Sequence, residues 1–152
     1  VTELPPPLDF LPLAQRERLM ALGLDVVFPA DARLFDEGAE ADRFWLLRGG
    51  RVALDICVPG RQPEALVETL GPGQLLGWSW ICPPYRWHLG ARAVTSVEAT
   101  EFPAADVLAL CAADPELGYA LMRRFTEVVV ERLQATRIRL LDLYAPHGSG
   151  SP

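Results

Sequence analysis

The sequence predicts a mainly β domain, an antiparallel barrel or jelly roll, flanked by an N-terminal helix and a long C-terminal helix. Three observations carry this. Apolar residues recur with period two between Val26 and Phe102. Glycine and proline break that stretch at short intervals, as in all-β folds built of short strands. Beyond Pro103 the apolar spacing becomes helical, and no proline follows Pro115 until Pro146.

Residues 1–9 read as a flexible, Pro-rich arm ahead of a domain spanning 10–144. Phe10, Leu13, Arg16, Leu19 and Leu22 have helical spacing, closed by Gly23. The β region covers about 24–102. In it, Val52, Leu54, Ile56 and Val58 alternate with Arg51, Asp55 and Cys57, which predicts a strand with one buried face. Gly49-Gly50 predicts a hairpin joining that strand to 43-RFWLLR-48, with both glycines free to take positive φ. Pro59-Gly60 and Gln62-Pro63 bracket a turn before the strand 64-EALVETL-70, and Gly71-Pro72-Gly73 makes the next break. The run 91-ARAVTSVEATEF-102 reads as one or two more strands.

The C-terminal helices cover about 103–144. Asp106 to Ala113 predicts a short helix. Asp114-Pro115-Glu116 predicts the start of the next: a capping acid, proline at the first helical position, and an acid in the first turn. Leu117, Leu121, Phe125 and Val128 are placed to face the β core. Val129, Leu133, Thr136 and Leu140 form an adjacent stripe that a monomer leaves open, so a homodimer or a partner protein is expected there. The alternative is that this stripe folds back on its own roll. Residues 145–152 read as a disordered tail.

The 152 residues carry a formal net charge of -6, which argues against general nucleic-acid binding. Cys57, Cys82 and Cys111 are an odd number without CxxC spacing, so neither a disulfide framework nor a zinc cluster is expected, and a cytoplasmic setting is. No apolar run is long enough to span a bilayer. No spacing suggests a metal. Ser79 lacks the second glycine of a nucleophile elbow and a His–Asp pair to activate it, so an enzyme is not expected.

The unusual chemistry is concentrated in 76-LGWSWICPPYRWHLGARAV-94. It holds Trp78, Trp80 and Trp87, three of the chain's four tryptophans, with Ser79, Tyr85, Arg86, His88 and Arg92. Three readings stay open: a cradle for a nucleotide-like ligand, a protein-docking face, or core in which Trp78 and Trp80 fill a pocket.

Three further segments bear on the choice. The first, 32-ARLFDEGAEADRFWLLRGGRVAL-54, carries an EG pair, a polar turn, an aromatic-rich strand and a glycine before the next strand. The second, 69-TLGPGQLLGW-78, is a glycine-proline turn leading to Gly77. The third, 107-VLALCAADPELGYALMRRFTEVVVERLQATRIRLL-141, contains the run Arg132 to Thr136. In order and spacing these resemble the cyclic-nucleotide-binding domain of the catabolite-activator and kinase regulatory-subunit superfamily, over residues 10–144. The resemblance implies a β-roll, a long helix forming a homodimer seam, and a phosphate-binding cassette after Leu76. It places Gly77 at the cassette glycine and Thr136 at the base-contacting threonine. Trp78 stands at the position of the ribose-binding glutamate, and Trp87 at that of the phosphate-binding arginine, with Arg86 one residue before it. Arg137 stands where a small hydroxyl residue follows the threonine.

Tryptophan offers one N–H donor and no acceptor, so Trp78 cannot replace a carboxylate. The expectation is a nucleotide-sensing regulatory domain with altered specificity. Trp78, Trp80, Arg86 and Trp87 would form the pocket mouth, closed from the helix side by Arg132 and Thr136. No cofactor identity follows; a cyclic nucleotide and an NAD(P)H-type nucleotide both remain. The GWSW…PPYRWH pattern also resembles a small accessory subunit of some bacterial NAD-reducing hydrogenases. The alternative function is therefore a ligand-free or NAD(P)H-binding subunit docked on a redox enzyme. Only eight residues follow Tyr144, too few for a recognition helix, so DNA binding by this chain alone is not expected.

Overall fold

The short apolar runs form eight strands, and the flanking runs form three helices. In chain order these are α1 (Leu13–Met20), β1 (Leu24–Phe28), β2 (Arg33–Phe35), β3 (Arg43–Gly49), β4 (Val52–Ile56), β5 (Ala65–Leu70), β6 (Leu75–Leu76), β7 (Gly90–Ala93), β8 (Val97–Pro103), α2 (Ala104–Ala113) and α3 (Pro115–Tyr144). This computed structural model describes residues 8–60 and 64–144. Most of the predicted arm, the Gln62-Pro63 half of one turn and the predicted tail lie outside the described residues.

The strands make two four-stranded sheets, ordered β1-β8-β3-β6 and β2-β7-β4-β5. Every pairing is antiparallel. The sheets face each other as a roll, and α2 and α3 pack against it. The fold class is the one expected.

The predicted Gly49-Gly50 hairpin is absent. β3 pairs with β8 and β6, while β4 pairs with β5 and β7, so the two glycines carry the chain from one sheet to the other. Only Gly50 takes positive φ, at 84°. A Cβ there would lie 2.1 Å from the carbonyl oxygen of Ser96. Gly50→Ala therefore combines a left-handed backbone with a clash against main chain. It should lower the unfolding free energy by about 2 kcal/mol or more, read as a melting-temperature loss of about 5 °C.

The single buried face predicted for β4 is also corrected. Val52, Ala53, Leu54 and Asp55 are all buried. Asp55 tolerates burial because Arg33 reaches it from β2, donating from Nη1 at 2.6 Å and from Nη2 at 3.2 Å. The same pairing holds the Arg33 guanidinium above its ordinary pKa.

At the N-terminus the chain joins the core earlier than the predicted arm allowed, since Leu8 and Leu11 are buried. Arg16 pins that entry by donating to the carbonyls of Leu8 and Leu11, both at 3.1 Å. The helix itself starts later, after Pro12, and Leu13 is exposed.

α3 begins as its sequence signal says. The Asp114 carboxylate accepts the Leu117 N–H at 3.2 Å, and that bond holds its pKa below the ordinary value. Leu117, Leu121, Phe125 and Val128 are buried on the roll. Gly118 lets α3 approach α2, because a Cβ there would lie 3.0 Å from Cys111. Leu133 and Leu140 are exposed.

Candidate functional site

The candidate site is the loop between β6 and β7, with the strands beneath it and α3 beside it. β6 ends at Leu76, and Gly77 turns the chain with φ at 94°. A Cβ at Gly77 would stand 2.9 Å from the Trp87 ring. Glycine is thus required because a tryptophan lies on it. Trp87 is only 5% exposed. Its ring stacks on Phe35 at 4.0 Å between centroids, and Phe35 in turn stacks on Trp45 at 5.5 Å. Main-chain bonds hold it there: Trp87 N–H donates to Ala39 at 2.9 Å, and Gly38 N–H donates to Trp87 at 2.8 Å.

Two spaces border Trp87: an open cleft of about 380 Å³, lined by Phe35, Asp36, Arg43, Trp45 and Glu101 among others, and a much smaller one on the side of α3. A cavity of about 20 Å³ lies among Phe35, Leu54, Gly77, Trp87, Leu89 and Arg132. That is room for one water. Pockets for small organic ligands run to about 300–1,000 Å³.

The other residues of the aromatic segment do not converge. Trp80 is 1% exposed and belongs to the core, stacked on Phe44 at 5.0 Å and edge-on to Phe125 at 5.2 Å. Its Nε1–H donates to the Gly77 carbonyl at 3.2 Å. This corrects its placement at a pocket mouth: it welds the loop to α3. Arg86 is corrected likewise. It is exposed and donates to the Gly38 carbonyl at 3.0 Å, away from the cavity lining. Tyr85 is exposed, and Arg92 is exposed and paired with Asp31 at 3.5 Å.

Trp78, Ser79 and His88 do come together. Trp78 is half-buried and stacks on the exposed His88 ring at 4.6 Å. Buried Ser79 has its Oγ 2.9 Å from His88 Nδ1 and accepts the His88 backbone N–H at 3.3 Å.

From α3, Arg132 reaches the same region. It is 4% exposed, and its Nη1 donates to the carboxylate of Glu68 on β5. Thr136 is exposed, and its hydroxyl donates to the Arg132 carbonyl at 2.8 Å within its own helix. Between the loop and α3 lie two adjoining clefts. One, of about 320 Å³, is lined by Trp78, Ile81, His88, Met122, Phe125 and Val129 among others. The other, of about 250 Å³, is lined by Trp78, His88, Leu89, Arg132, Leu133 and Thr136 with Val129.

Sequence reasoning missed Glu68, Ile81, Met122 and the cleft-facing side of Phe125. Glu68 carried no signal, since its partner is 64 residues away. Met122 was available from the helical spacing, one turn before Phe125 and Thr126. Among the described residues no group of three His, Cys, Asp or Glu side chains is placed to hold a metal ion, and no helix is long and apolar enough to cross a membrane.

The family model described as "Cyclic nucleotide-binding domain" matches residues 25–114. A curated relative, the CRP-like cAMP-activated global transcriptional regulator of Mycobacterium tuberculosis, is 29% identical over 118 residues, covering 78% of this chain. The chain spans 50% of the length of that relative. Among solved structures, the N-terminal domain of a transcriptional regulator from Streptomyces coelicolor has a TM-score of 0.69 at 25% identity, covering 83% of this chain and 89% of that one. A cyclic nucleotide-binding domain from Methylobacillus flagellatus has a TM-score of 0.78 at 18% identity, covering 87% and 74%, and speaks to the fold alone. These relatives are regulators or binding domains and do not favour the redox-subunit reading. The fold is the expected CRP-like β-roll. With the family model matching more than half of its residues, the chain belongs to the cyclic nucleotide-binding domain family.

Proposed function

We propose that this chain is a non-enzymatic regulatory domain whose roll no longer admits cyclic AMP, so that its ligand specificity differs from that of its cyclic AMP-activated relative. The observation that carries the reading is Trp87, buried on Phe35 where the resemblance places a phosphate-binding arginine, with its ring pressed against Gly77. Two further facts support it. Trp78 offers no acceptor for a ribose hydroxyl. Arg86 is turned to the Gly38 carbonyl, so it supplies no replacement charge in the roll. The regulatory output runs through α3, which Trp80 and Phe125 join to the loop. α3 also forms the homodimer seam of this proposal, along Val129, Leu133 and Leu140.

The test is a melting and tryptophan-fluorescence titration with cyclic AMP and cyclic GMP at about 1 mM. A ligand at a hundred times its dissociation constant stabilises a fold by about 2.7 kcal/mol. Neither nucleotide should shift either signal. A saturable melting shift with micromolar cyclic AMP would overturn the reading.

A further inference from the structure

We infer that the open cleft on the far side of Trp87 from α3 is a binding site for a small quaternary ammonium compound that also carries an oxygen acceptor. This goes beyond the reading above. It concerns a different space and a ligand opposite in charge to a cyclic nucleotide, so the cyclic AMP titration does not decide it.

Four observations converge. The first is size: the cleft holds about 380 Å³, within the range of small-molecule sites. The second is its wall. Phe28, Phe35, Trp45 and Trp87 all line it. The rings of Phe35, Trp45 and Trp87 have centroids 4.0, 5.5 and 5.9 Å apart, and Phe28 meets Trp45 edge-on at 6.3 Å. Three of the four stand on strands, so the wall is preformed.

The third is charge. Asp36, Glu40, Asp42 and Glu101 line the same cleft against one guanidinium, that of Arg43. Arg33 pairs with Asp36 at 3.0 Å, and Arg43 with Asp42 at 2.8 Å and with Glu101 at 3.3 Å, while Glu40 is exposed and has no ion pair among the described residues. Glu101 stands against the aromatic wall, where it accepts the Trp45 Nε1–H at 3.0 Å. Carboxylates around packed aromatic rings attract a cation. They are spread around the cleft rather than gathered: among the described residues no three His, Cys, Asp or Glu side chains are placed to hold a metal ion. An organic cation fits where a metal ion does not. Asp36, Asp42 and Glu101 already accept from arginines, so a ligand held by charge and ring contact, with no N–H of its own, suits them.

The fourth is an unmet donor. Trp87 is only 5% exposed, yet its indole N–H has no partner among the described residues. That N–H opens on accessible space, since no fully enclosed side-chain nitrogen or oxygen among those described lacks a partner. The far edge of the benzo ring lies on Gly77, beside the small space that Arg132 also lines. The N–H is at the opposite end of the indole, and the other space that Trp87 lines is this cleft. An oxygen on the ligand would accept from it.

The experiment uses choline, a quaternary ammonium with one hydroxyl, and dimethylbutanol, its uncharged carbon isostere. Each is titrated into the full chain and into Glu101→Gln, Glu40→Gln and Arg43→Gln, with sodium chloride matching the ionic strength. Tryptophan fluorescence and melting follow the binding, because Trp45 and Trp87 line the site. Wild type should bind choline saturably, and the alcohol about tenfold more weakly or worse. Glu101→Gln should weaken choline about tenfold, and Glu40→Gln about threefold. Arg43→Gln should tighten it about threefold by removing the competing cation. The alcohol should bind all four proteins alike. Glutamine at 101 still offers an acceptor to Trp45, and Glu40, being exposed, keeps the test valid if Glu101→Gln folds poorly. Equal affinity for the two probes would reduce the cleft to an apolar surface and overturn the inference. So would choline affinity unchanged in the carboxylate variants, or no saturation by about 10 mM choline.

Discussion

Trp87→Ala should lower the unfolding free energy by about 3–5 kcal/mol, the range for deleting a large buried aromatic side chain. For a chain of this size that corresponds to a melting-temperature loss of about 10 °C. The effect is large because little can collapse into the space. Trp87 stacks between Gly77 and Phe35, and Phe35 is already committed to Trp45 on its other face. The walls are strands pinned by their ladders: β2 pairs with β7, and β3 with β6 and β8. Gly77 cannot move over, since its φ of 94° fixes the turn. Differential scanning calorimetry would read the loss. A change under about 1 kcal/mol would mean that the indole is not an integral part of the roll, contrary to the filled-pocket reading. Trp80→Ala is the control. It should lose a similar amount, because it too is buried between aromatic rings, but its loss should also loosen α3 through Phe125.

The contrast between these two tryptophans shows what the sequence could reveal. The places of β3, β4, β5, β7 and β8, the start of α3 and its buried face were legible, because glycine and proline breaks, an Asp-Pro-Glu start and helical spacing are local signals, whereas the short strands β1, β2 and β6 gave no separate signal. The direction taken by each tryptophan in an irregular loop was not. Trp78, Trp80 and Trp87 lie close in sequence, yet one stacks on His88, one enters the core beside Phe44 and one fills the roll. No period governs a loop, so no face can be assigned from spacing. The Gly49-Gly50 hairpin failed for a related reason. Two glycines permit a reversal, but which strands pair is decided by distant partners, here β8 for β3 and β7 for β4. Arg132 was marked from its place on the helix. Its meaning changed when Glu68 proved to be its partner, and that pairing is a tertiary fact.

Leu133→Glu combined with Leu140→Glu should convert a dimer into a monomer. Beyond Arg132, α3 has no buried residue among those described. It nevertheless stays helical to Tyr144, reaching about 18 Å further at 1.5 Å per residue. An isolated helix of that length is marginal in water, so the overhang needs a neighbour. Its side chains say what kind. Leu133 is 59% exposed and Leu140 53%, seven residues apart on one stripe, with Leu141 and Tyr144 beside them. In the homodimer proposed above that spacing suits the seam of a two-helix coiled coil, since a second copy of α3 supplies an identical stripe. Two glutamates set against their own copies put like charges where apolar side chains should meet. Sedimentation should give twice the 16.7 kDa chain mass for wild type and the single mass for the variant. Helical ellipticity should also fall in the variant, since the overhang loses the contact that keeps it folded. A wild-type monomer with full helical signal would sink the proposal, because the overhang would then be stable without a partner.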